Sequence, residues 1–173
     1  MDSITVQPQF IPIFKIDSKY LIINGNMRSG KFYAACQKVV AECYKKSGTV
    51  AVVVCNYPKY AMQIITEIDA TLEYNLTYKL YSLVNGSKIR IVTESQINNI
   101  LRFDFVVLKG ADCMKIETFK SVDKYFVKQI ILTCNPPSHN HWLRKLNNCL
   151  CCERIDVGII DKSIIKLCAK PYL

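Results

Sequence analysis

Apolar residues along this chain fall into short unbroken runs separated by turns that carry glycine, proline or asparagine, and each run predicts an element. Tyr20-Leu21-Ile22-Ile23-Asn24 reads as a buried strand, and residues 49–55, 103–108 and 129–134 repeat the pattern. Apolar runs without alternation are expected of central parallel strands covered by helices on both faces. Between these runs the period changes. Over residues 32–46, Cys36, Val39, Val40 and Cys43 share one helical face, while Gln37, Lys38, Lys45 and Lys46 fall mostly elsewhere, and Gly48 closes the helix. Residues 59–71 carry Met62, Ile65 and Ile68 at helical spacing; residues 116–126 and 139–148 predict two more helices, the last with Trp142, Leu143 and Leu146 inward. Residues 78–84 and 88–93, joined by Asn85-Gly86, predict a β-hairpin with a type I′ turn. Strand and helix in alternation argue for a three-layer α/β sandwich with a mainly parallel sheet and a hairpin insertion.

Composition narrows this picture. The chain has 173 residues, half of them hydrophobic, which suits one globular domain over 1–173 and excludes a disordered chain. No segment approaches the roughly 18–20 apolar residues of a membrane span, and the start MDSITVQPQF lacks the pattern of a secretory leader. A soluble, cytoplasmic protein with reduced thiols is expected, because nine cysteines do not pair evenly and Cys55 and Cys134 lie inside apolar runs. The sequons at Asn75 and Asn85 are then chance matches.

Candidate chemistry sits between the first strand and the first helix. Gly25-Asn26-Met27-Arg28-Ser29-Gly30-Lys31-Phe32 matches G-x-x-x-x-G-K and fails only at the final Ser or Thr. With a strand before and a helix after, backbone N–H groups can face an anion; Lys31 is placed to reach phosphate oxygens and Arg28 to add a second charge. Phe32 cannot ligand magnesium. A hydrolase of this type also needs a carboxylate at the end of a second buried strand, with an acid beside it. The strand over residues 105–108 ends instead in Lys109-Gly110, with Asp104 at its other end and Asp112 beyond the turn. Hydroxyl, metal-shell acid and catalytic acid are absent together, which predicts a site without catalysis.

These residues, in this order, resemble the N-terminal ATPase domain of the large terminase subunit, the DNA-packaging motor of tailed phages and related viruses. GNMRSGKF is similar to that family's GGRRSGKS; Asn85-Gly86-Ser87-Lys88-Ile89-Arg90 to its "NGS-I-R" strand; and residues 101–111 to its "LRG…DYVVLDEA", with Asp-Glu replaced by Lys109-Gly110. Leu132-Thr133-Cys134-Asn135-Pro136-Pro137, followed by His141-Trp142-Leu143, resembles its coupling motif and the segment after it. The resemblance implies a terminase-like ATPase fold of viral or prophage origin, with DNA or a packaging motor as partner, and the length leaves no room for the family's nuclease domain.

Two further constellations are weaker. Cys149, Cys151 and Cys152, with His139, His141 and Cys168, hold enough soft ligands for zinc, but Cys-x-Cys-Cys is not a knuckle spacing; free or buried thiols are the expectation, with no metal. Twenty-three Lys and Arg against fourteen Asp and Glu give a net charge of +9, and Lys38, Lys45, Lys46, Arg144 and Lys145 are the candidate contacts to DNA phosphates. Three readings stay open: a pseudo-ATPase that binds, with ATP or ADP taken up without magnesium; a weak NTPase that recruits Glu94, Asp112 or an acid from a partner; and an interaction module with an empty phosphate loop. Oligomeric state is not legible.

Overall fold

Strand β2 (Tyr20–Gly25) is buried along its whole length, as its apolar run predicts, and it lies between two parallel neighbours, β8 (Gln129–Cys134) and β9 (Cys152–Val157). In the computed structural model, which describes residues 3–99, 103–125, 127–138, 141–146, 149, 151–157 and 165–168, these strands belong to an eight-stranded sheet. The other members are β3 (Val50–Val54), β4 (Glu73–Asn75), β5 (Leu80–Ser82), β6 (Lys88–Val92) and β7 (Phe105–Lys109). Their order is β4-β5-β6-β3-β7-β8-β2-β9, parallel from β6 onward and antiparallel over β4-β5-β6. A separate antiparallel pair joins β1 (Ser3–Val6) to β10 (Ile165–Cys168). No helix among the described residues is long and apolar enough to cross a membrane.

The sheet divides the core in two. Leu21, Ile23, Val53, Phe105, Val107 and Ile131 pack against α1 (Lys31–Lys45) and α2 (Pro58–Ile68). Ile22, Val52, Val54, Val106, Leu108, Ile130 and Leu132 face the other way, toward α3 (Ile116–Asp123) and α4 (Trp142–Leu146). This is the expected three-layer α/β sandwich.

The expected polar face of α1 survives only at its end, where Lys45 and Lys46 are exposed. A 3-10 helix at Pro8–Lys15 and strand β1 pack on α1, and Gln37, Lys38 and Glu42 are buried with the apolar residues. Gln37 Nε2 donates to Thr5 O, and Lys38, fully buried, donates from Nζ to Ile16 O at 2.9 Å. Lys38 is thereby withdrawn from the candidate DNA contacts: an ammonium inside the fold cannot meet a phosphate backbone.

Burial pushes the Lys38 pKa down to about 8, opposed by Glu42 and Asp17 and assisted by Lys45 and Lys128. Between pH 8 and the ordinary value of 10.5 the unfolded chain holds this proton and the folded chain does not, so this group's contribution to stability rises with pH over that window. Below pH 8 its burial cost is fully present. Ile16 O keeps a second donor, Gln129 Nε2 at 3.0 Å, if the ammonium is removed. Lys38→Met is therefore expected to stabilise the fold by about 1 kcal/mol at pH 7, with the gap to wild type closing as pH rises from 8 to 10.5 in thermal melts.

The hairpin forms between β5 and β6, but its turn is not type I′. Leu83 N donates to Ser87 O and Gly86 N to Leu83 O, both at 2.9 Å, and only Gly86 of the loop has positive φ, at 82°. That is a three-residue loop, a type I turn closed by a left-handed glycine. The extra residue directs Asn85 and Ser87 onto the end of α1. Asn85 Nδ2 donates to Cys43 O at 2.8 Å; Ser87 Oγ faces Cys43 O at 2.8 Å and Lys46 O at 3.0 Å and accepts from Thr49 N at 3.1 Å. The Asn-Gly-Ser segment thus occupies carbonyls that a helix C-terminus leaves without intrahelical donors.

Candidate functional site

All parallel strands end at one edge, and there the sequence motifs meet. The G-x-x-x-x-G-K loop follows β2, Cys55 to Tyr57 follow β3, Lys109-Gly110 closes β7, and Asn135 follows β8. Register brings them level: Asn24 pairs with Cys134, and Lys109 with Thr133. Crevices at the carboxyl edge of a parallel sheet are where α/β proteins place ligands.

Gly25 and Gly30 shape the loop. A Cβ on Gly25 would stand 2.9 Å from Ser29 Oγ and 3.0 Å from Val157 O, and Gly30 has φ 79°, with Phe10 Cε2 at 3.3 Å from a Cβ there. Arg28 is exposed, with φ 65°, a conformation side chains other than glycine rarely adopt. No side chain caps the first turn of α1 and no acid sits in it, so its leading N–H groups are free to face an anion. Ser29 Oγ is buried without a partner.

Lys31 closes the loop on itself. Its Nζ donates to Gly25 O and Asn26 O at 3.0 Å and to Asn135 Oδ1 at 3.1 Å, and burial lowers its pKa. Asn135 is held in turn by Asp112, whose carboxylate accepts from Asn135 N at 3.0 Å and Nδ2 at 3.2 Å. Asp112 arrives there because Gly110, at φ 71°, turns the chain into a short 3-10 helix, Ala111–Cys113. The acid beyond the turn is therefore in the site, engaged in positioning the residue that receives the lysine. Thr133 Oγ1 accepts from Gly110 N at 3.4 Å, tying β8 to the same turn. Burial pushes the Cys134 thiol up to about 12. Glu94, the other acid considered, accepts from Thr118 Oγ1.

The two departures from the phosphate-loop pattern touch each other. Lys109 lies on the α1 face of β7, and its Nζ stands 5.5 Å from the centroid of the Phe32 ring, 5.4 Å from Tyr60 and 5.9 Å from Tyr57. Phe32 and Tyr60 stack with centroids 5.9 Å apart. Three ring faces around an ammonium make a cation–π cage. Tyr57 and Tyr60 were not legible as site residues; they come from the Asn-Tyr-Pro break and the first turn of α2, and only the sheet order brings them to Lys109.

A divalent cation does not fit these residues. Phe32 offers a ring where a hydroxyl ligand would stand, Lys109 offers a positive charge where a carboxylate would, and among the described residues no group of three His, Cys, Asp or Glu converges on a point. That statement also covers Cys149, Cys151 and Cys152; His139 lies outside the described residues, as do Leu101 and Arg102.

The remaining basic candidates do not form one patch. Lys45 and Lys46 end α1 at the amino edge of the sheet, beside Asn85 and Ser87, with Lys45 paired to Glu42 at 2.7 Å. Arg144 and Lys145 lie on α4, which follows β8 and packs on the opposite face. Arg144 is spent locally on Pro137 O and Ser138 O, at 3.2 and 3.1 Å.

No family model matches the sequence, and no curated protein matches it. Solved structures do match the fold. The large terminase of a thermophilic bacteriophage superposes with a TM-score of 0.72 at 9% identity, covering 87% of this chain and 45% of that one. The ATPase domain of a Thermus phage large terminase gives a TM-score of 0.65 at 14% identity, over 88% of this chain and 80% of that domain. A Sulfolobus solfataricus SWI2/SNF2 ATPase core in complex with double-stranded DNA gives 0.53 at 13% identity, over 84% and 34%. This chain spans less than half the length of the full terminase it matches. At these identities the likeness is one of fold, and the fold is that of the terminase ATPase domain.

Proposed function

We propose that this domain binds a phosphate-bearing ligand at the loop over residues 25–31 and does not hydrolyse it, acting by binding in a DNA-packaging context as a pseudo-ATPase. The observation that carries the reading is the contact between Lys109 and Phe32: both positions that would hold a metal are occupied by groups that exclude one, and they are packed on each other. Two substitutions so joined form a replacement structure rather than a damaged site. An uncapped helix start, Lys31 and a buried unpartnered hydroxyl at the loop support binding in the absence of catalysis. Asp112 lies beyond the β7 turn and accepts from Asn135 through both oxygens, so in this reading it positions Asn135 rather than standing in for the missing acid. The neighbours are named as large terminases and as a SWI2/SNF2 ATPase core in complex with double-stranded DNA, which supports a DNA or motor partner; the separated basic clusters favour the motor over a broad DNA footprint.

Thermal melts in ATP, ADP and duplex DNA, each with magnesium and with EDTA, test the reading. A rise in Tm with nucleotide in at least one condition, lost in Lys31→Ala, is expected. No rise with any nucleotide overturns it in favour of a module with an empty loop.

A further inference from the structure

We propose that the Lys109 ammonium replaces the divalent cation itself, so that the loop takes a condensed phosphate, a di- or triphosphate group, free of metal and rejects the same group when magnesium is chelated to it. This rests on the reading above and specifies the ligand's form. Four observations converge. Lys109 ends β7 level with Thr133, at the edge where the loop opens, and on the face of the sheet that carries α1. Among the described residues no carboxylate lies within 4.0 Å of it, so its charge is held by ring faces and not neutralised. Its Nζ stands over the ring of Phe32, the residue next to Lys31, so two cations flank one loop; burial is the main cause of the lowered Lys31 pKa, Asp112 opposes it, and Lys109 adds to it. Ser29 Oγ, 4% exposed in the turn of the loop, has no hydrogen-bond partner, and the first N–H groups of α1 are uncapped. An incoming phosphate supplies acceptors for all of these and draws Lys31 away from Gly25 O, Asn26 O and Asn135 Oδ1.

The cage explains why this lysine stays in place. Rings favour a weakly hydrated cation and cannot ligate a divalent ion, so Phe32, Tyr57 and Tyr60 hold an ammonium in position while leaving its N–H groups to the ligand. A magnesium-chelated triphosphate would bring a second and stronger positive charge against the ammonium. ATP and inorganic tripolyphosphate share the recognised chemistry, and a difference between them reports what the nucleoside adds.

Isothermal titration calorimetry of the whole chain with ATP and with tripolyphosphate, each in EDTA and in saturating magnesium, is the test. Binding in EDTA is expected to be roughly tenfold or more tighter than in magnesium, the effect of one charge at a partly buried site. Lys109→Met is expected to lose that preference and about tenfold of the EDTA affinity, while Lys109→Arg keeps both; melts of the free variants confirm that they fold. Binding that requires magnesium, or a Lys109→Met variant that binds as wild type does, overturns this inference and leaves the non-hydrolysing reading standing. No binding of either ligand in either condition overturns the reading beneath it as well.

Discussion

Exchanging Lys109 for aspartate is expected to lower the stability of the fold by about 2–4 kcal/mol, far more than exchanging it for methionine, which should cost about 1 kcal/mol. The lysine is half-buried against the faces of Phe32, Tyr57 and Tyr60, and those faces are the negative pole of each ring. Methionine forfeits the cation–π attraction but keeps an apolar stem in the cage. Aspartate puts a carboxylate against three negative faces and near the thiols of Cys36 and Cys55, whose ionised forms Lys109 favours. Urea unfolding should show a fall in midpoint with an unchanged slope, which locates the loss in the native state. If aspartate is tolerated as well as methionine, the lysine is not caged and the site is open to an acid.

Ser87→Ala is the second large effect, about 2–3 kcal/mol. Ser87 is fully buried, and its hydroxyl serves the end of α1 and the start of β3 at once, accepting from Thr49 N and donating toward Cys43 O or Lys46 O. Alanine leaves the Thr49 N–H buried and unpaired, while Cys43 O keeps Asn85 Nδ2 and Lys46 O keeps Thr49 Oγ1, and the desolvation cost of such a donor exceeds the net value of the bond itself. Faster amide exchange at Thr49 relative to β7 and β8 should accompany the loss. An alanine variant as stable as wild type would show that water replaces the hydroxyl.

The parallel core was legible because β2, β3, β7 and β8 are buried on both faces, and burial of that kind leaves an unbroken apolar run in the sequence. β9 was not. Cys152-Glu153-Arg154-Ile155-Asp156-Val157 is an edge strand with charged, exposed positions, and its composition reads as surface. The short strands β1, β4 and β10 and the 3-10 helix at Pro8–Lys15 were missed for a related reason: each is fixed by what it covers more than by its own period. Lys38 shows the cost of that omission. A helical wheel places it off the apolar face, and that becomes a buried position only because residues from the N-terminal segment lie over α1. At the site, the G-x-x-x-x-G-K loop between a strand and a helix was readable, and so was Lys109 at the end of a buried strand. The contact between Lys109 and Phe32 was not, since it depends on β3 and β7 being neighbours and on α1 lying over that face of the sheet.

Whether catalysis has been lost is the central question, and a single-turnover experiment addresses it most directly. Protein in excess over γ-labelled ATP, with magnesium and with and without duplex DNA, should release no inorganic phosphate above the Lys31→Ala background over several hours. Release that exceeds that background, and that Lys31→Ala abolishes, would contradict the account, because it would require a catalytic metal centre where Lys109 and Phe32 now stand.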